Sequence, residues 1–283
     1  MDAPFEEFAC RQAGGVPLVN HRHVNGDGYE LILVLSGGGS ALIFDRAYPL
    51  RDGTLLLIDA SYPHCLHPAD MANYVRSKLI FDRAYLRGVF AAAGCPLLLD
   101  EMTQAHGGLC VPLSAEQTAQ ADGLFLEMNH ALQESGAERS LRMLAAFLPL
   151  FSLLQAAVQG GAPAALSPGG EKLAPVLSYL RAHCAEPLTV DQIARAQHIS
   201  KYYLCRLFRQ TTGMTIMQYL YEQRFSLARR QLADTAQPIS AIALNCGFSS
   251  PSHFCTMFRR REGCSPNAYR RRAAGRAQAV GEG

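Results

Sequence analysis

The sequence predicts an α+β protein of two domains: a small β-barrel or jelly roll with an appended pair of helices, then an all-α domain. Three observations carry this reading. Short strand-like runs divided by turn residues fill the first third, a repeat of about 50 residues runs through the last third, and the two halves differ in charge. Residues 1–170 hold 10 Lys and Arg against 17 Asp and Glu, whereas residues 171–283 hold 16 against 7, within a net charge of only +2. An acidic half joined to a basic half suggests that one part meets a polyanion and the other does not.

In the first half, Glu30–Leu35, Ala41–Phe44, Thr54–Ile58 and Tyr74–Phe81 read as strands. Asn25-Gly26-Asp27-Gly28, Ser36-Gly37-Gly38-Gly39 and Asp52-Gly53 between them carry turn chemistry. From Ser114 to Val158 the texture is helical. Leu124, Met128 and Leu132 recur at fours, as do Leu144 and Leu148, and Gly136 separates the two helices. Their apolar faces exceed what a small barrel needs, so they are expected to pair two subunits. Gln159 to Gly170 is rich in Gly, Pro, Ala and Ser and reads as a connector with few contacts across it. The expected organisation is residues 1–112 for the barrel, 113–158 for the helical pair, 159–170 for the linker, 171–273 for the helical domain and 274–283 for a tail.

No apolar run approaches the length of a membrane span, and the start, with Asp2, Glu6 and Glu7, lacks a signal-peptide layout. The nine cysteines are scattered, with no pair at metal-knuckle spacing, and read as reduced thiols packed as small apolar groups. Together these predict a cytoplasmic protein without a membrane partner.

The repeat is the most informative feature. Ile193-Ala194 returns as Ile242-Ala243, Ile199 as Phe248, Leu204 as Phe254, Phe208-Arg209 as Phe258-Arg259, and Gly213 as Gly263. Each copy reads as a short helix, a tight turn and a second helix ending in aromatic and basic residues, the layout of a helix-turn-helix. Thr189 with Gln192 forms a capping box, Ser200 caps the second helix, Gly247 ends the first helix of copy two, and Ser250 precedes Pro251 at a helix start. Thr215 to Leu232 joins the copies as a helical strut of roughly 27 Å. Successive major-groove faces lie about 34 Å apart, so two readers on this strut fit adjacent turns of one duplex.

Residues from about Leu188 to Arg272 resemble the DNA-binding domain of the AraC/XylS family. The resemblance is carried by Ile193-Ala194, the run Ser200 to Phe208, Gly213, Tyr219, Arg224, Ala228, Leu232, Ile242-Ala243, Gly247-Phe248, Ser252-His253-Phe254, Phe258-Arg259, Gly263, Ser265-Pro266 and Tyr269-Arg270. It implies seven helices with two helix-turn-helix units, binding to double-stranded promoter DNA, and control of transcription with RNA polymerase as a partner. Carried over by position, base edges are expected to meet Tyr202, Cys205 and Arg206 in the first unit and Ser252, His253 and Thr256 in the second. Phosphate contacts are expected from Lys201, Arg209, Arg259, Arg260 and Arg261, with the helix starts at Ser200 and Ser250. Leu204, Phe208, Phe254, Phe258, Cys246 and Cys264 are read as core. Cys205 stands where a base reader is expected, although a thiol reads bases poorly.

The first half resembles the cupin-like sensor domains of the same family, through His21-Arg22-His23, Tyr29-Glu30-Leu31 with Gly37 after it, Gly53 before an apolar strand, and Tyr62-Pro63-His64. The resemblance implies a small effector in the barrel, contacted by His21, His23, Glu30 and His64, and a homodimer through the helices. The same four residues match in kind a transition-metal site of three His and one carboxylate, His21 and His23 lying on one face of a strand. The gap from His23 to Glu30 is about two residues wider than the family pattern. A site without metal is therefore the expectation, and no cofactor is invoked. The function expected is a ligand-responsive transcription regulator and not an enzyme. The alternative is a metal-dependent cupin enzyme fused to a DNA-binding domain, which needs the metal set intact. A third reading is an architectural DNA-binding protein with no effector.

Overall fold

The computed structural model describes residues 5–13, 28–160 and 165–281. Its strands are β1 (Phe5–Ala13), β2 (Gly28–Ser36), β3 (Gly39–Ile43), β4 (Arg46–Leu50), β5 (Thr54–Asp59), β6 (His64–Pro68), β7 (Val75–Asp82) and β8 (Gly108–Pro112). They pair antiparallel in two sheets, in the orders β1-β7-β2-β5-β8 and β4-β3-β6. Side chains alternate along each strand, so the larger sheet sends Ile32, Val34, Leu56 and Ile58 toward the smaller sheet and Leu31, Leu33, Leu55 and Leu57 the other way. The first set meets Ala41, Ile43, Tyr48 and Leu50. The second is covered by helices, which is why β2 and β5 read as nearly continuous apolar runs.

The covering helices are α1 (Arg83–Ala92), α2 (Leu98–Thr103), α3 (Ala115–Ala131) and α4 (Gly136–Gly160). A Ser114–Gln117 capping box starts α3. Met143, Ala146, Phe147, Leu150, Phe151 and Leu154 form the buried stripe of α4 at helical spacing. Helix α4 corrects one expectation, because by length and composition alone it is long and apolar enough to cross a membrane. Its buried stripe belongs instead to the core on the larger sheet, while Leu141 and Leu148 face outward.

The second half is helical: α5 (Pro168–Ala182), α6 (Val190–Ala196), α7 (Lys201–Thr212), α8 (Ile216–Asp234), α9 (Ile239–Asn245), α10 (Pro251–Glu262) and α11 (Pro266–Gly281). The two copies of the repeat each own a core, and α8 serves both. Tyr219 and Leu220 join the first, and Phe225, Ala228 and Leu232 the second. Thr189 and Gln192 make the capping box of α6, and Ser200 and Ser250 accept from the backbone N–H groups of Tyr203 and His253. Gly213 and Gly263 end α7 and α10 at φ 73° and 69°, left-handed caps that side chains disfavour.

The structure departs from the sequence reading in three ways. Strands β1, β4, β6 and β8 and helices α1 and α2 are additional elements. Strands β4 and β6 have five residues each and contain prolines, tolerated here because both lie at the edges of their sheet. Helix α4 runs to Gly160 and α5 starts at Pro168, so helix takes up both ends of the expected connector, and α11 continues into the expected tail as far as Gly281. Finally, the boundary carries many contacts. Leu42, Ala47 and Cys65, on the outer face of the smaller sheet, share a core with Leu173, Leu177 and Tyr219. The Tyr219 hydroxyl donates to the Phe44 carbonyl at 2.5 Å, the Ser226 hydroxyl to the Ser61 carbonyl at 2.5 Å, and Arg181 pairs with Asp45 at 2.8 Å. The Ser40 hydroxyl donates to the Thr211 carbonyl at the end of α7. A Cβ on Gly170 would lie 2.2 Å from the Ala47 carbonyl oxygen, so α5 approaches β4 closely. Apart from Leu42, the outward residues Ser40, Ala47, Cys65 and His67 are small or polar and imitate a solvated face, which hides this interface from a periodicity argument.

Candidate nucleic-acid interface and the space between the sheets

Leu204 and Phe208 on α7 are fully buried, and at 100° per residue this turns Tyr202, Cys205, Arg206 and Arg209 outward. Tyr202 is 76% exposed. The Arg206 guanidinium lies 5.7 Å from the Tyr202 ring centre and 6.0 Å from that of Tyr203, so aromatic faces support it, with no acid paired to it among the described residues. Lys201 pairs with Asp191 at 2.8 Å on the surface. That hydrogen bond raises the Lys201 ammonium above its ordinary value and lowers the Asp191 carboxyl.

On α10 the buried side is Phe254, Phe258 and Glu262, which leaves Ser252, His253, Thr256, Arg259 and Arg260 exposed. The Thr256 hydroxyl donates back to the Ser252 carbonyl at 3.1 Å. Arg261 corrects the sequence expectation of a phosphate contact. Both its Nη atoms donate to the Glu222 carboxylate on α8, and the guanidinium sits 5.2 Å from the Phe225 ring centre. Three successive arginines on a helix span 200°, so they cannot all face one partner. The hydroxyls of Ser200 and Ser250 cap their own helices.

The sequence reading missed the ion pairs beneath α10. Arg229 of α8 donates from Nη1 to Glu262 at 3.0 Å and from Nη2 to the Ser61 carbonyl at 3.3 Å. A signal existed: Glu262 continues the buried 254, 258 spacing, and an acid on a core face requires a buried cation.

Between the sheets, Lys78 donates to Glu30 at 3.1 Å, and His64 Nε2 lies 3.2 Å from the other oxygen of the same carboxylate. His64 Nδ1 lies 2.9 Å from the Tyr62 carbonyl oxygen. Both ring nitrogens therefore lie against oxygen atoms, an arrangement that suits the doubly protonated ring beside an ionised Glu30. Burial alone works against that charge, but Glu30 outweighs it and holds His64 above its ordinary value. Glu30 and His64 thus come together, whereas His21 and His23 lie outside the described residues. Lys78, Arg76 and Tyr74 were not anticipated, although polar side chains at alternate positions of an apolar strand were the available signal. Among the described residues, no three His, Cys, Asp or Glu gather as a metal site. The Lys78 ammonium also places positive charge beside the carboxylate that a divalent ion would need.

Residues 193–272 match the model of a helix-turn-helix domain, and residues 10–150 match that of the AraC-like ligand binding domain. The chain is 35% identical over 97 residues to the regulatory protein SoxS of Escherichia coli K12, covering 34% of this chain and 91% of that protein. The chain belongs to the AraC family. It is a DNA-binding transcription regulator with an AraC-like ligand-binding domain in its N-terminal half. Across both halves it is 28% identical over 245 residues to the HTH-type transcriptional activator RhaR of Klebsiella pneumoniae, covering 86% of this chain and 85% of that one. Among solved structures, the DNA-binding domain of AdpA in complex with a target DNA is 37% identical, with 38% of this chain and 94% of that chain covered and a TM-score of 0.35.

Proposed function

We propose that this AraC-family regulator is no enzyme and couples a small effector, held between the two sheets of a cupin-like barrel, to promoter binding by two helix-turn-helix units, α6–α7 and α9–α10. One observation carries the reading. Helices α7 and α10 each bury an aromatic side in their own core and leave Tyr202, Cys205 and Arg206, and Ser252, His253 and Thr256, exposed on the other. Helix α8, 19 residues and about 28 Å long, separates them by nearly the spacing of adjacent major-groove turns.

The two units contribute unequally. Arg206 suits a bidentate contact to guanine, and Tyr202 an apolar contact to a thymine methyl. Ser252, His253 and Thr256 are short or ambiguous readers. Arg259 and Arg260, with Lys201, Arg209 and the first-turn amides after Ser200 and Ser250, serve phosphates, which position the protein without reading sequence. The first unit therefore sets specificity and the second supplies affinity and shape reading. A chromosomal partner places the protein in the cytoplasm, beside RNA polymerase. Leu141 and Leu148, exposed on α4, with Gln117, Gln120, Pro149 and Ala156 around the adjoining groove, support a homodimer through α3 and α4. The enzyme alternative needs metal at Glu30, where the Lys78 ammonium stands.

Selection from randomised duplex DNA tests this reading. Wild type is expected to select a site whose information lies mostly under α7, and Arg206→Ala to relax one or two base pairs there. Equal or greater information under α10, or an unchanged selection by the variant, refutes it.

A further inference from the structure

On β7 three polar side chains, Tyr74 just before it, Arg76 and Lys78, stand two residues apart on the face turned to the smaller sheet. Lys78 is paired with Glu30. Arg76 is only 6% exposed, yet among the described residues no carboxylate pairs with its guanidinium. Beside it, the Tyr74 phenol oxygen faces the Arg76 guanidinium, but its O–H finds no acceptor among the described residues, on a side chain 2% exposed. Burial pushes the Tyr74 phenol up, and the charge of Arg76 and its hydrogen bond to the phenol oxygen oppose part of that rise. Arg76 stands opposite Val34 of β2, and Tyr74 packs among Val34, Tyr48, Leu50 and Leu66.

A guanidinium stays charged at any physiological pH, and burying it without an anion is unfavourable. A buried phenol normally finds a hydrogen-bond partner as well. Two unmet requirements, one for negative charge and one for an acceptor, thus meet between the sheets, beside the already paired Lys78 and Glu30. We infer that Arg76 and Tyr74 bind the carboxylate of a monoanionic, largely apolar effector, the guanidinium gripping both oxygens and the Tyr74 hydroxyl donating a further hydrogen bond. This rests on the reading that the effector lies between the sheets. One cation and one hydroxyl match a single negative charge. A phosphate ester brings a second charge, and a sugar brings many hydroxyls to walls of Val34, Leu50 and Leu66 that offer them no partner.

The test titrates the full chain, at constant ionic strength, with hexanoate and benzoate against hexanamide and benzamide. Methyl glucoside and glucose 6-phosphate serve as neutral and dianionic arms. Thermal unfolding and calorimetry are the readouts. The carboxylates are expected to raise Tm and the amides to leave it unchanged. Arg76→Gln should weaken carboxylate binding by about tenfold or more, in line with the loss of a charged hydrogen bond. Tyr74→Phe keeps the ring packing and should weaken it by about threefold or more, so a folding defect in the first variant does not remove the test. Amides binding as well as carboxylates overturn the inference. So does binding of the glucoside or the phosphate in place of the carboxylates, an outcome that leaves the effector reading standing. A panel with no binder at all removes both.

Discussion

The Arg229–Glu262 pair fixes the last turn of α10 to α8 and, through the Ser61 carbonyl, to the N-terminal domain. Arg229→Met removes the guanidinium and keeps most of the aliphatic bulk. Glu262, 2% exposed, then keeps only the ion pair with Arg261 Nε at 3.4 Å among the described residues, while Ser61 still accepts from Ser226. Breaking a buried pair typically costs about 3–5 kcal/mol, and the remaining Arg261 contact puts this case at about 3 kcal/mol. Glu262→Gln is milder, about 1–2 kcal/mol, because the amide oxygen still accepts from Arg229. The double variant leaves no buried charge at Glu262, so its loss should fall short of the sum by about 1–2 kcal/mol. Urea unfolding of the full chain followed by circular dichroism measures all three, as a lower midpoint at unchanged slope. Binding to the selected DNA should weaken in parallel. The reasoning is wrong if Arg229→Met costs less than about 1 kcal/mol, or if the two single losses simply add.

Three further expectations follow from the same structure. Arg206→Ala should cost about 1–3 kcal/mol on the preferred site, while Arg260→Ala should weaken binding to all sequences and flatten the salt dependence by about one charge, both read from affinities across a salt series. Phe254→Ala, at a fully buried ring packed 4.8 Å from Phe248 and 5.3 Å from Phe258, should cost about 3–5 kcal/mol in chemical denaturation and abolish binding under α10 before binding under α7. Asp100 is held below the ordinary carboxylate value of 3.8, because the Tyr29 hydroxyl, Arg87 and Arg83 outweigh the opposing effect of partial burial. Its stabilisation is complete above 3.8 and fades as pH falls through the lower folded value, so the stability of Asp100→Asn should fall less steeply with acid than that of wild type.

The helical half was legible because its information is local. The caps at Thr189, Ser200 and Ser250, the left-handed glycines 213 and 263 and the aromatic repeat all act within a few residues of chain. Helical periodicity then fixes which side of α7 and α10 is buried, and so which residues remain to face a nucleic acid. The strands β2, β3, β5 and β7 were likewise visible through apolar runs bounded by turns. What only the tertiary structure decided is where charge is neutralised. Arg261 leaves the expected phosphate set because Glu222 comes to it from α8, 39 residues earlier. Lys78 meets Glu30 because β2 and β7 pair in one register, and Arg76 lies in the same row with no acid beside it among the described residues. The seating of α5, α7 and α8 on the smaller sheet was equally hidden. Long-range ion pairs and domain contacts join residues far apart in sequence, and whether a polar side chain meets water or a partner depends on what folds over it.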